Sequence, residues 1–257
     1  MLSAAGLYYE VHGAPEAEPL ILSAGLGGSA SYWASNISAL AERYCVIAYD
    51  HRGTGRSDRA LPHVDLSADI LSLLDELEID EAHLIGHAAG AAAGLAMALD
   101  WPHRLSKLIL VNGWGKPDPH FARCFEARLA LLHNSGVEAY VRAQPIFLYP
   151  AEWSSRHSAE LDQEVVHMIA GFPAIEAMAR RIDYLRRFDI SDNFGNFSTP
   201  MLALAAADDT LVPVTCSRML AENIAGCDLE VVDWGGHACN VTDPATFNRI
   251  VLEFLGS

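Results

Sequence analysis

No apolar run in the chain reaches the roughly 18 residues that cross a bilayer, so no membrane span is expected. The opening "MLSAAGLYYEVHG" lacks both a basic stretch and a long apolar one, and we read no signal peptide in it. Positive charge is scarce: 17 Lys and Arg stand against 33 Asp and Glu, a net charge of −16. Such a surface repels nucleic acid and anionic membranes, and no basic patch offsets it. It also repels small anions, so a site for one needs its own arginine or amide cluster. The five cysteines (Cys45, Cys124, Cys216, Cys227, Cys239) are odd in number and form no C-x-x-C pair. Reduced thiols in a cytoplasmic protein are the simplest account. With no metal-ligand cluster and no nucleotide loop in the sequence, neither metal nor cofactor is expected. A small-molecule substrate remains as the partner, with a homodimer left open as the assembly.

What the 257 residues do have is apolar material, 51% of the total, enough for one large core. Short β-like runs ("LYYEVHG", "PLILSAGLGG", "YCVIAYD", "HLIGHAAG", "LSKLILVNGW") alternate with helical spacing. Strands covered by helices on both faces of a parallel sheet read as such continuous apolar runs. Helices are expected near 30–42, 67–77 and 89–100, the last stopped at Trp101-Pro102. The alternation predicts a doubly wound α/β layer. From Lys116 to Asn196 helical spacing continues with no strand run, which predicts a helical cap over the sheet. Strand rhythm resumes with "MLALAAADD" and "CDLEVVDWGGH", and a helix near Pro244–Leu255 closes the chain. The expected organisation is α/β core over 1–115, helical cap over 116–196 and core again over 197–257.

One further absence concerns chemistry. "LIGHAAGAAAG", Leu84 to Gly94, has the G-x-S-x-G spacing of a turn that lifts a serine hydroxyl above a sheet, yet its centre is Ala88. A methyl group attacks nothing. Around it stand the other parts of a hydrolytic site, in order: "SAGLGG" after an early strand, "YDHRGTGRSD" after the next, "AADDTLVP" after a late strand and "GGHACN" after the last. Each string alone is weak; their sequence is not.

Together these motifs resemble the α/β-hydrolase superfamily over essentially the whole chain. The resemblance implies the α/β-hydrolase fold: a mostly parallel central sheet flanked by helices, with a helical cap insertion. Asp50, Arg52, Gly53, Gly55 and Ser57 match the superfamily's non-catalytic D-x-R-G-x-G-x-S motif. By D-x-x-V-P spacing Asp209, rather than Asp208, matches the catalytic acid, and His237 matches the base. Leu26 and Ala89 hold the positions whose backbone N–H groups form the oxyanion hole. "GLGGSASYW", "GHAAG", "NGW", "QPIFLYPAEW" and "GGHACNVTDPATFN" are similar to the RutD family of pyrimidine utilisation, which commonly carries alanine at the elbow. Ala88 then reads as native. The resemblance implies hydrolysis of a small, unstable uracil-breakdown product, carbamate or aminoacrylate.

The expected site is therefore His237 and Asp209 beside the vacant nucleophile position at Ala88, with Leu26 and Ala89 as anion-holding amides. Gly25, Arg180, Arg181 and Trp114 are candidates for substrate contact. A solvated face is the default for Arg180, Arg181, Arg186, Arg187 and Arg123, although one turned inward would hold an anion. Asp208 reads as structural, His87 as packing, and Cys239 has nothing near it in sequence to lower its pKa. Trp114, Tyr149 and Trp153 read first as packing between cap and core. Without serine, an oxyanion hole and an oriented imidazole still retain ~10³–10⁴ over water in related systems, so His237 activating water or protonating a leaving nitrogen is the expected mechanism. Two other readings stay open: a degenerate, non-catalytic binding protein, and an ordinary esterase whose serine was exchanged for alanine.

Overall fold

The computed structural model describes residues 1–3, 5–60 and 64–257. Seven strands form one sheet: β1 (Tyr9–His12), β2 (Pro19–Ser23), β3 (Cys45–Tyr49), β4 (Ala82–His87), β5 (Leu105–Val111), β6 (Met201–Ala206) and β7 (Cys227–Val232). Their order is β1-β3-β2-β4-β5-β6-β7. β1 runs antiparallel to β3 at one edge, and every other pairing is parallel.

Parallel strands need crossovers, and these are helical. In the first half they are α1 (Ala34–Leu40), α2 (Leu66–Glu76) and α3 (Ala89–Asp100). The first expected helix is split: a 3₁₀ turn over Ala30–Trp33 precedes α1. α2 starts where the Asp65 carboxylate accepts from the Ala68 N–H, a side-chain cap on an otherwise unpaired donor. Between β5 and β6 lie α4 (Pro119–Arg142), α5 (Gln144–Leu148), α6 (Ala151–Arg156), α7 (Ser158–Ala170) and α8 (Ile175–Arg187). α4 kinks at Gly136, whose φ is +83°. The helical spacing from Glu164 to Phe188 breaks at Gly171, before Pro173 removes an N–H donor. The chain closes with α9 (Val214–Asn223), α10 (Cys239–Thr242) and α11 (Pro244–Leu255).

Side chains alternate across a strand, so each strand feeds two cores. Ile21, Ile47, Leu84 and Leu108 pack on one face with α2, α3 and the helices after β5. Leu20, Leu22, Val46, Ile85 and Ile109 pack on the other with Trp33, Leu40, Phe247 and Val251. This double burial explains the unbroken apolar runs of the sequence. It also leaves the strand ends as the place where loops converge. No helix among the described residues is long and apolar enough to cross a membrane.

Candidate active site

The turn after β4 is tight because two glycines permit it. A Cβ on Gly86 would stand 2.3 Å from the Gly90 carbonyl oxygen, and one on Gly90 only 2.1 Å from the Ser23 carbonyl oxygen. Ala88 sits between them at φ +48°, ψ −101° as the N-cap of α3. A non-glycine residue in this region is strained by ~1–3 kcal/mol, and the Ala88 N–H donates to the Val111 carbonyl at 2.9 Å, which helps hold the bend. The bend places the Ala88 methyl on the wall of a cavity and starts α3 immediately behind it.

Asp209 lies in the loop after β6 and His237 in the loop after β7. His237 Nδ1 is 2.7 Å from Asp209 Oδ2. A carboxylate accepts, so Nδ1 carries the proton and Nε2 is left as a lone-pair acceptor. The other carboxylate oxygen accepts from the Leu211 and Val212 N–H groups at 2.7 and 3.0 Å, which fixes the acid from behind. The His237 carbonyl accepts from Asn112 Nδ2 and His87 Nε2, both at 2.8 Å. Asn112 Oδ1 in turn accepts from the Ala206 N–H, so one side chain ties β5, β6 and the histidine loop together. His87 also stacks on Tyr32 at 4.8 Å and lies 4.7 Å from the His237 ring. Burial, and then the neighbouring His237, hold the His87 imidazole well below its ordinary pKa.

The turn after β2 supplies one free amide and the start of α3 another. The Gly25 carbonyl accepts from Gly28 N at 3.0 Å, so the Leu26 N–H, trans to that carbonyl across the same peptide, points out of the turn. Neither this N–H nor that of Ala89, in the first turn of α3, has a protein acceptor among the described residues. A free amide at a helix N-terminus, as at Ala89, suits an anion. Arg181, from α8, braces the same turn: Nη2 and Nε donate to the Leu26 carbonyl at 2.9 and 3.3 Å, and Nη1 to the Arg52 carbonyl at 3.3 Å. Nη2 also donates to His51 Nδ1 at 2.9 Å. Burial and the Arg181 charge hold His51 well below its usual pKa, which keeps that nitrogen an acceptor.

Similarity to known proteins agrees with this geometry. A family model described as alpha/beta hydrolase fold matches residues 18–136. A Caulobacter protein named "Putative carbamate hydrolase RutD" is 52% identical over 256 residues, covering 97% of this chain and 96% of the relative. The chain belongs to the RutD family of α/β-hydrolases. Among solved structures, a hydrolase from Pseudomonas aeruginosa superposes with a TM-score of 0.87 at 28% identity, covering 98% of this chain and 94% of that one. An enol-lactonase from Burkholderia xenovorans also gives 0.87, at 25% identity, covering 98% and 96%.

In this RutD-family chain Gly25, Leu26, Ala88, Trp114 and His237 all line one cavity of about 380 Å³. Ala89 and Asp209 stand just behind its wall. Arg180 and Arg181 are candidates for substrate contact, with a solvated face as the default. Arg180 is exposed, and Arg181 does turn inward but spends its donors on the protein. Neither lines the cavity. Asp208 accepts from the Gly236 N–H at 2.8 Å and so shapes the histidine loop. Cys239 is buried, and burial pushes its thiol up to about 12, which removes it as a nucleophile. Tyr149 lines the cavity, while Trp153 packs on Tyr149 and stacks on His157 at 4.0 Å. No set of three His, Cys, Asp or Glu side chains able to hold a metal occurs among the described residues.

Two residues escaped the sequence reading. Asn112 stands in "NGW" at a strand end, a position that signals a loop-pinning role. Arg128 lines the cavity from α4, seven residues after Phe121 and three after Phe125, a charge inside an apolar stripe. That register was its signal.

Proposed function

We propose that this chain is a RutD-type hydrolase of pyrimidine breakdown that releases ammonia from carbamate or aminoacrylate without a covalent acyl-enzyme. The observation that carries the reading is the 2.7 Å contact of His237 Nδ1 with Asp209, which leaves Nε2 without a described protein partner on the wall that also holds Ala88. A serine oxygen would ordinarily stand between imidazole and substrate; here a water takes that room. With carbamate, His237 Nε2 takes a proton from water and passes it to nitrogen, the C–N bond breaks with its electron pair moving to nitrogen, ammonia leaves, and the carbon dioxide combines with the remaining hydroxide as bicarbonate. With the imine tautomer of aminoacrylate, His237 Nε2 takes a proton from water as oxygen adds to the imine carbon and passes it to nitrogen; the hydroxyl proton of the resulting carbinolamine follows by the same route, the C–N bond breaks toward nitrogen, and ammonia and an aldehyde leave. The Leu26 and Ala89 N–H groups hold the carboxylate or developing oxyanion. The helices of 116–196 act as the cap that closes the cavity from water.

Ammonia release from freshly generated carbamate and aminoacrylate, with and without protein, tests this. Replacing His237 by Ala is expected to lower the enzymatic rate ~10²–10⁴-fold. A wild-type rate no higher than the spontaneous background removes the enzyme reading in favour of a non-catalytic binding protein, the alternative that Ala88 itself supports, and a rate unchanged in His237→Ala removes His237 as the proton carrier. Rapid cleavage of p-nitrophenyl esters by the wild-type chain contradicts a serine-free mechanism.

A further inference from the structure

Among the cavity-lining residues Arg128 is the one Arg or Lys, and the mechanism above gives it no task. Its residue is 4% exposed. No carboxylate lies within ion-pair distance among the described residues. Nη2 donates to Tyr140 Oη at 3.1 Å and to Gln144 Oε1, while buried Nε has no acceptor and none is described for Nη1. The rings of Phe125, Tyr140 and Phe147 surround the guanidinium at 4.8, 5.5 and 5.6 Å. Aromatic faces offset part of a buried positive charge, but a guanidinium carries five donors and these neighbours use one nitrogen. Arg181, just as buried and from the same helical segment, has all three nitrogens engaged by the protein. Evolution of a stable interior fills such donors or replaces the residue, because an unpaired buried charge is costly. Arg128 is neither filled nor replaced, and it lines the cavity.

The size of that cavity points the same way. About 380 Å³ lies within the ~300–1,000 Å³ of ordinary ligand pockets, and far exceeds the volume of carbamate alone.

We infer that Arg128 anchors the carboxylate of a monocarboxylate ligand whose apolar or unsaturated body extends through the cavity toward His237. The inference rests on the reading of the cavity as the place where substrate sits. It selects an aminoacrylate-like acid over carbamate, whose single anionic group is at the reacting carbon and cannot occupy both ends.

Calorimetric titration of the full chain with sodium propionate and with propionamide tests the anchor without turnover. The wild type is expected to bind propionate at least about 10-fold more tightly, and Arg128→Met to lower propionate affinity about 10–100-fold with propionamide unchanged. His237→Ala should keep the preference. On the wild type the preference should hold from pH 6 to 9, since guanidinium stays charged while an imidazolium does not. Equal binding of acid and amide, or an Arg128→Met variant that retains the preference, overturns the anchor. Should Arg128→Met fail to fold, a wild-type preference that fades between pH 6 and 8 overturns it, and one that persists supports it. Absence of turnover with the acid preference intact defeats the proposed reaction alone; turnover without any preference defeats the anchor alone.

Discussion

The strand-end wall of the cavity and the helical segment opposite it are built by different means. On the wall, backbone groups enter every contact: Asp209 accepts from two N–H groups, the His237 carbonyl is held by the Asn112 and His87 side chains, and the elbow is set by glycines whose neighbours leave no room for a Cβ. In the helical segment, shape comes from side chains, with Trp114, Phe121 and Phe125 packed ring to ring at 4.5 and 4.7 Å, and charge comes from two buried arginines of opposite fate. Backbone-fixed geometry tolerates little change of residue; side-chain geometry can be rewritten one residue at a time. The difference suggests that reaction type resides on the wall and ligand choice in the helices.

Arg181 is where the two regions are bolted together, and removing it should give the largest loss of stability. Arg181→Met leaves the Leu26 and Arg52 carbonyls and His51 Nδ1 without their donor, so unfolding in urea should show a loss of roughly 3 kcal/mol. Arg180→Met, one residue away and exposed, should stay within about 0.5 kcal/mol. Equal effects would dissolve the distinction between a bolt and a solvated charge. Within the wall, Gly90→Ala forces a methyl onto the Ser23 carbonyl and should cost about 1–3 kcal/mol. Gly27→Ala, with open space around its Cβ, should leave the urea midpoint almost unmoved.

The last effect is the most diffuse. His51 and His87 are held neutral in the fold, so their folded pKa values lie below the unfolded value near 6.5. Stability from this source is complete above pH 6.5 and is lost as pH falls below it, because the unfolded chain then binds protons that the fold refuses. Each imidazole contributes a slope of about 1.4 kcal/mol per pH unit. Urea midpoints measured from pH 7.5 to 5.5 should therefore decline; a halved slope would mean that one ring titrates in place, and a flat profile that both do.

The sheet was readable from the sequence because strands buried on both faces leave no polar residue to interrupt them, as Leu20-Ile21-Leu22 and Leu108-Ile109-Leu110 show. The loops at the strand ends announced themselves through glycine spacing, which records backbone constraint directly. Helix limits in the segment after β5 were less legible: Gly136 and Gly171 break spacing that reads as continuous, and only the backbone angles reveal the first. The arginines were the hardest. Arg181 meets Leu26 across 155 residues, a partnership that no local pattern encodes. Arg128 was hidden by the sound presumption that a charge on a helix faces water, although its place in the Phe121–Phe125 stripe said otherwise.

Ala88 has one more consequence. Fluorophosphonates and β-lactones silence enzymes of this architecture by bonding to the oxygen at the elbow, and a methyl group offers them no bond. With the Cys239 thiol held protonated, the chain should pass untouched through activity-based labelling even while it turns over substrate. A survey of a cell's hydrolases by such reagents would not count it among the living.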